Sequence, residues 1–209
     1  MSYSPWRDIA ALMSYIKEFQ AALSRTRQWD IGDISQPEAP FPIDISILNA
    51  LEETGHIPFP LRAAQVLSVN FGMYHVLSKK FHIPNGIITM GNVSVDGRNL
   101  MPATIDDFRN MLKRRNGEDT LGSYHIWTTL PGGVILDHVI LSTLHGEGLI
   151  KVDQAIPAER YLYAPGDALP HHLTYHPMVA GLEFFVASGT IDPEAMEYLM
   201  GTRFPKQYD

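Results

Sequence analysis

A histidine and an aspartate occupy the two arms of one short segment, YHIWTTLPGGVILDH, which covers residues 124–138. Strand-like runs flank the turn-forming sequence PGG, so the segment predicts a β-hairpin. Antiparallel pairing brings facing side chains within about 5 Å, which would set Asp137 beside His125. A carboxylate there accepts from one imidazole nitrogen and prepares the other as a general base. The same spacing also fits a half-buried histidine beside Trp127 and an aspartate that merely ends a strand.

The composition limits which chemistry this pair could support. The chain has 209 residues and no cysteine, which excludes a thiol nucleophile, a disulfide and a thiolate zinc site. A net charge of −7 argues against binding to nucleic acid or to an anionic membrane surface. The sequence has no signal-peptide pattern and no apolar run of about 18 residues. We therefore expect a protein without membrane association that is cytoplasmic, or exported without a cleaved signal peptide.

The first 60 residues predict a helical N-terminal part that is interrupted by a proline-rich connector. Apolar residues recur at spacings of three and four between Trp6 and Leu23, which is typical of an amphipathic helix capped by Ser4. Prolines make residues 33–42 an extended connector, and residues 43–55 predict a short second helix.

Residues 61–80 predict a buried central helix, because apolar side chains occur on almost every face. Gly72 within this helix predicts close packing, since glycine costs about 1 kcal/mol in a helix relative to alanine. Ser68 is interpreted as a packed hydroxyl. Residues 86–95 then predict a strand.

The second half of the chain predicts a helix between strands. A capping box of Thr104 and Asp107 begins the helix, and Gly117 ends it. Beyond the hairpin, RYLYAP and LEFFVAS predict strands, and a further helix begins after Asp192. Helices before strands indicate an α+β fold, with N-terminal helices and a buried central helix on a mostly antiparallel sheet. We treat residues 1–209 as a single domain.

Histidines cluster in LPHHLTYHP, at residues 169–177. His171, His172 and His176 have a spacing that suits zinc only if they share a helix face. Pro170 and Pro177 disfavour a helix, so we interpret the segment as a loop with exposed histidines. The sequence therefore predicts no metal and no cofactor.

The hairpin resembles the His-x-Trp, glycine-turn and Asp pattern of the transglutaminase-like and papain-like cysteine enzymes. In addition, PLRAAQVLSVNFGMYHVLSKKFHIPNGIITMGNV, residues 60–93, resembles the helix and HIP-like step that precede the hairpin in those families. The resemblance covers roughly residues 59–137. It implies a transglutaminase/papain-like α+β fold in which the N-terminal end of the central helix faces the hairpin.

The same resemblance implies the roles of the site residues. His125 would be the general base and Asp137 the residue that orients it. Trp127 would form part of the substrate-binding wall, with Leu61 and Arg62 near the position of the families' cysteine. Neither Leu61 nor Arg62 can attack a carbonyl, so the nucleophile is missing.

Because the nucleophile of the families is missing, three functions remain open. The first is a pseudoenzyme, or a binding or regulatory protein, that keeps the His–Asp pair without catalysis. The second is a hydrolase or acyl-transfer enzyme that acts on an amide, ester or thioester, with His125 as base. The third is a zinc hydrolase with histidine ligands. The ligand or partner, whether a small molecule, a peptide or a protein, is left open, as is the oligomeric state.

Overall fold

The structure is a computed structural model that describes residues 5–32, 34, 57–79, 86–120, 122–153, 157–166 and 168–200. Several predictions fall outside this part of the chain. They are the Ser4 cap, the helix over residues 43–55, the HIP step at residues 82–84 and, apart from Ile34, the proline-rich connector. The side chains of residues 5–13 also lie outside it.

The described part contains six α-helices and six strands. The helices are α1 (Pro5–Gln28), α2 (Val66–Lys79), α3 (Ile105–Arg114), α4 (Ile140–Gly146), α5 (Glu183–Ala187) and α6 (Pro193–Met200). The strands are β1 (Ile87–Val95), β2 (Arg98–Asn99), β3 (His125–Leu130), β4 (Val134–Asp137), β5 (Leu162–Pro165) and β6 (Leu173–Ala180). A 3-10 helix, Phe59–Gln65, leads directly into α2.

Strand β1 is the centre of the sheet. It pairs with β3 on one side and with β6 on the other, while β4 and β5 extend the sheet beyond β3. The short β2 folds back on the end of β1. Every pairing between the described strands is antiparallel. The predicted α+β class with an antiparallel sheet is therefore confirmed.

Helices cover both faces of the sheet, and the alternation of β3 shows how. Ile126 packs in a core with Phe71 of α2 and Phe108 of α3. The next residue, Trp127, packs on the opposite face with Phe19 of α1 and the helix α4. Successive side chains of a strand point to opposite faces, so His125 shares the face of Trp127.

Two predictions are corrected in and after the histidine-rich segment. Residues 169–177 were predicted as a loop, but residues 173–177 belong to strand β6. LEFFVAS, predicted as a strand, forms helix α5. A bulge explains how Pro177 fits a strand, because the register between β1 and β6 shifts between Met90 and Gly91. Gly91 is required there, since a Cβ would lie 2.1 Å from the backbone oxygen of His176.

The central helix also differs from its prediction. The chain is a 3-10 helix through Gln65 and becomes α-helical only at Val66. One face of α2 is buried through Phe71, but Ser68 and Gly72 are exposed. A Cβ on Gly72 would have no neighbour within 4 Å, so the predicted close packing there is wrong.

Helix α3 follows its predicted start but not its predicted end. Thr104 and Asp107 form the reciprocal capping box. The helix stops at Arg115, which adopts a left-handed conformation with φ 53°. Gly117 therefore lies beyond the helix and is not its cap. None of the helices in the described part combines the length and apolar character needed to cross a bilayer.

We predict opposite effects for two neighbouring substitutions on α2. Phe71 is 2% exposed and makes an edge-to-face contact with Phe185 at 5.0 Å. Phe71→Ala should reduce the free energy of unfolding by about 3–5 kcal/mol. Gly72→Ala should increase it by about 0.5–1 kcal/mol, because alanine favours the helix and meets open space. Urea denaturation measures both; a stabilising Phe71→Ala or a strongly destabilising Gly72→Ala would contradict this packing.

Candidate active site

The hairpin brings His125 and Asp137 into direct contact. Nε2 of His125 lies 2.5 Å from Oδ2 of Asp137, and the two side chains are only 1% and 0% exposed. The contact is diagonal: Thr128 pairs with Leu136, so the register places Asp137 opposite Trp127, two positions from His125 along β3. Both side chains nevertheless lie on the same face of the sheet, as the hairpin geometry requires.

The Asp137 carboxylate accepts four hydrogen bonds. Oδ2 accepts from His125 and, at 2.7 Å, from the hydroxyl of Tyr175 on β6. Oδ1 accepts from the backbone N–H groups of Val139 and Ile140 at 2.7 and 2.9 Å. A buried carboxylate needs this compensation, because an unpaired charge in the interior costs several kcal/mol.

These contacts set the charge state of the carboxyl. Burial alone would raise the pKa of Asp137, but the neighbouring His125 and the two backbone N–H donors hold it below its ordinary value. Burial raises the pKa of Tyr175 well above its ordinary value, and the Asp137 charge raises it further. The aspartate is therefore ionised and the tyrosine neutral near neutral pH.

The same hydrogen bonds fix the histidine tautomer. Oδ2 of an ionised carboxylate is an acceptor only, so His125 must carry its proton on Nε2. Whenever the ring is neutral, Nδ1 is therefore the nitrogen that carries the lone pair. No hydrogen bond joins Nδ1 to another group in the described part of the chain. The ring contacts Trp127 in a stacked arrangement and Tyr175 edge-on, with centroids 6.2 and 6.3 Å apart.

A second hydrogen-bond chain runs beside the pair on the same face. Thr89 donates to the backbone oxygen of Ile87, so it accepts from Thr129 at 2.8 Å. Thr129 in turn accepts from Tyr15 at 2.6 Å, and Tyr15 accepts from the indole N–H of Trp127 at 3.0 Å. Each hydroxyl of this chain donates away from His125. None of them is placed to be deprotonated by it.

Helix α1 closes this face over the site. Tyr15 is its contact with the hydroxyl chain. Farther along the helix, Thr26 exchanges hydrogen bonds with the backbone of Ala180, and Arg25 donates to the backbone oxygen of Met178. α1 is thereby fixed along β6, and His125 is buried beneath the elements that cover the sheet.

The three predicted substrate-binding residues do not form an open cleft. Trp127 is 0% exposed and is a core residue. Arg62 is 1% exposed, with its guanidinium over the rings of Phe59 and Tyr161. Leu61 is 51% exposed on the 3-10 helix, before the α-helix begins. Trp127 and Arg62 pack inside the fold, so the substrate-binding wall stays a prediction that would require the covering elements to move.

The start of α2 borders a cavity of about 360 Å³. Val66 and Ser68 line it on the helix side, with Tyr124 and Ile126 on the other side. Ile126 points to the face opposite His125. No hydrogen bond, ion pair or ring contact joins His125 to residues 59–68 of the helix start. The geometry that the enzyme resemblance implies at this point is absent from the described contacts.

The histidines of the segment at residues 169–177 do not contact the His125–Asp137 pair in the described part, although Tyr175 of the same segment does. His171 and His172 are exposed and have positive φ values of 57° and 53°. His176 lies on β6, with Nδ1 3.2 Å from Oε2 of Glu18. Within the described residues, no group of three or more His, Asp or Glu side chains could hold a metal ion.

Two tyrosines, Tyr15 and Tyr175, complete the network. The sequence pattern points to neither of them, because the apolar stripe between Trp6 and Leu23 passes through Ile16, and Tyr175 lies in the segment predicted as a loop. The spacing of Tyr15, Phe19, Ala22 and Thr26 is equally helical, and these side chains are all buried.

Comparison of the chain with protein-family models, with curated proteins and with solved structures found no match. The geometry of the site is therefore the basis for inferring function.

We predict that Asp137→Asn destabilises the fold at neutral pH by about 3–5 kcal/mol, since an amide nitrogen would face donors that need an acceptor. The pKa of Asp137 is lowered in the folded state, so its contribution is complete above the unfolded pKa of about 3.9. It is lost as pH falls through the folded value.

Chemical denaturation of both proteins over a pH series measures this effect. The difference in unfolding free energy should be constant near neutral pH and shrink below about pH 4. Glu147→Gln, at an exposed position after α4, is the matched control and should change little. A difference that persists unchanged into acid would contradict the assignment to an ionised Asp137.

Proposed function

We propose that the chain is a cysteine-less transglutaminase/papain-like domain that acts as a binding or regulatory protein. In this proposal the His–Asp pair is retained as a structural network and does not catalyse a reaction. The observation that carries the proposal is the complete burial of His125 and Asp137, with the carboxylate accepting four hydrogen bonds.

Burial argues against catalysis because a general base must reach the proton that it removes. A base acts within hydrogen-bond distance of its substrate, about 2.6–3.2 Å, or through one water molecule. His125 is 1% exposed, and the rings of Trp127 and Tyr175 pack against it. A substrate could approach only if covering elements moved.

The missing nucleophile argues in the same direction. In a His–Asp site, the histidine activates a group within hydrogen-bond reach. The hydroxyl of Tyr175 donates to Asp137, and the chain of hydroxyls formed by Tyr15, Thr129 and Thr89 donates away from His125. Along these described contacts, the proton of each hydroxyl already has an acceptor.

A hydrolase that activates water is the second candidate, and one observation favours it. Asp137 holds a proton on Nε2 of His125, so in the neutral form of the ring Nδ1 would offer a lone pair, and Nδ1 has no hydrogen-bond partner in the described part. This is the protonation pattern of a prepared base. The candidate requires that water and substrate reach Nδ1, and an activity assay can detect that.

We predict that no hydrolysis depends on His125. Wild-type protein and His125→Gln would be assayed with chromogenic amide, ester and thioester substrates. His172→Gln, at an exposed position before β6, is the matched control because it removes an imidazole outside the network. Both variants should give the background rate of the wild type. Turnover that survives in His172→Gln and disappears in His125→Gln would overturn the proposal and establish the hydrolase.

A further inference from the structure

A second cavity, of about 230 Å³, lies between α1 and β6. On the helix side it is lined by Ser14, Tyr15 and Glu18, and on the strand side by Thr174 and Tyr175. Its volume is below the usual range of about 300–1,000 Å³ for ligand pockets, which suits a small ligand. The cavity is distinct from the one at the start of α2.

The floor of this cavity is formed by two aromatic rings. Tyr15 and Tyr175 are 4% and 2% exposed, and their hydroxyls are bonded inward, to Thr129 and to Asp137. The hydroxyls are therefore already engaged, and a ligand in the cavity would meet the aromatic part of each side chain. Aromatic rings carry negative charge density on their faces and attract cations by about 0.5–2 kcal/mol.

A glycine brings the chain against this floor. A Cβ on Gly166 would lie 2.8–3.0 Å from three ring and side-chain atoms of Tyr15. That distance is shorter than real Cβ contacts, so any larger residue would displace the tyrosine. Gly166 and the apolar Leu169 line the cavity on this side.

The charge of the cavity comes from Glu18. It carries the only charged side chain among the described lining residues. Its carboxylate is 41% exposed and lies beside Nδ1 of His176, which orients one oxygen. The remaining lining groups offer hydroxyls, from Ser14 and Thr174, and no positive charge. The chain as a whole has a net charge of −7, which also favours cations.

From these features we infer that the cavity between α1 and β6 binds a small organic cation, such as an alkylamine or a quaternary ammonium group. The ammonium would lie at the Glu18 carboxylate, and the alkyl part over the rings of Tyr15 and Tyr175. This inference goes beyond the proposed function, since it holds whether the His–Asp pair is structural or catalytic.

The test uses the full chain and three probes of similar size: butylamine, tetramethylammonium and the neutral butanol. Binding would be followed through Trp127, whose indole N–H is bonded to Tyr15. Trp6→Phe and Trp29→Phe leave Trp127 as the single tryptophan, because the chain has three. Both cations should bind saturably and more tightly than butanol.

Two variants locate the binding. Glu18→Gln keeps the shape and removes the charge, and should weaken both cations about five- to tenfold while leaving butanol unchanged. Gly166→Ala should weaken all three probes, because it displaces Tyr15. Glu147→Gln is the charge control and should bind like the parent.

The outcomes separate this inference from the proposed function. Failure of both cations to bind saturably, equal affinity for cations and butanol, or an unchanged affinity in Glu18→Gln would each overturn the cation site. None of these results bears on hydrolysis, which is measured through His125. Conversely, hydrolysis that depends on His125 would overturn the proposed function but would not change the conclusion about the cation site.

Discussion

A carboxylate buried inside the fold is the constraint on which the rest of this structure depends. Asp137 is 0% exposed and ionised, so every element around it must supply a donor. Strand β3 supplies His125, β6 supplies Tyr175, and the turn into α4 supplies two backbone N–H groups. The hairpin with the turn that follows it and the more distant strand β6 are therefore held to one point.

This constraint also explains the organisation of the covered face. Once Asp137 holds Nε2 of His125 and the hydroxyl of Tyr175, both rings are fixed against Trp127. The indole then meets Tyr15 of α1, which connects the helix to the sheet through a directed chain of hydroxyls. Such fully satisfied polar networks specify one arrangement of a core, at the expense of solvent access to their members. The arrangement that stabilises the site is the same one that separates it from substrate.

How much of this could be predicted depends on the range of the interactions involved. The hairpin and the capping box of Thr104 were predictable because turn residues and caps act over a few positions. The face shared by His125 and Asp137 followed from strand alternation. These are local rules, and the structure agrees with them.

The remaining features depend on contacts between distant segments. Pro177 in β6 is tolerated because Gly91 of β1 accommodates a bulge, which the local sequence does not show. LEFFVAS is apolar at five of its seven positions, so periodicity could not distinguish a buried strand from the helix that it forms. The charge of Arg62 favours an exposed position. In the structure, however, its guanidinium lies over two aromatic rings and donates to backbone oxygens inside the fold. Each case was decided by tertiary packing.

The exchange rate of the imidazole proton of His125 tests the central claim most directly. In protein with nitrogen-15-labelled histidine, NMR reports which ring nitrogen carries the proton and how fast it exchanges with water. A sealed structural network predicts a proton on Nε2 that exchanges slowly in the wild type and loses this protection in Asp137→Asn. A proton on Nδ1 and none on Nε2 would contradict the hydrogen bond to Asp137, and a proton that exchanges as fast as in an exposed histidine would show that the ring is open to solvent. Either result would contradict the account.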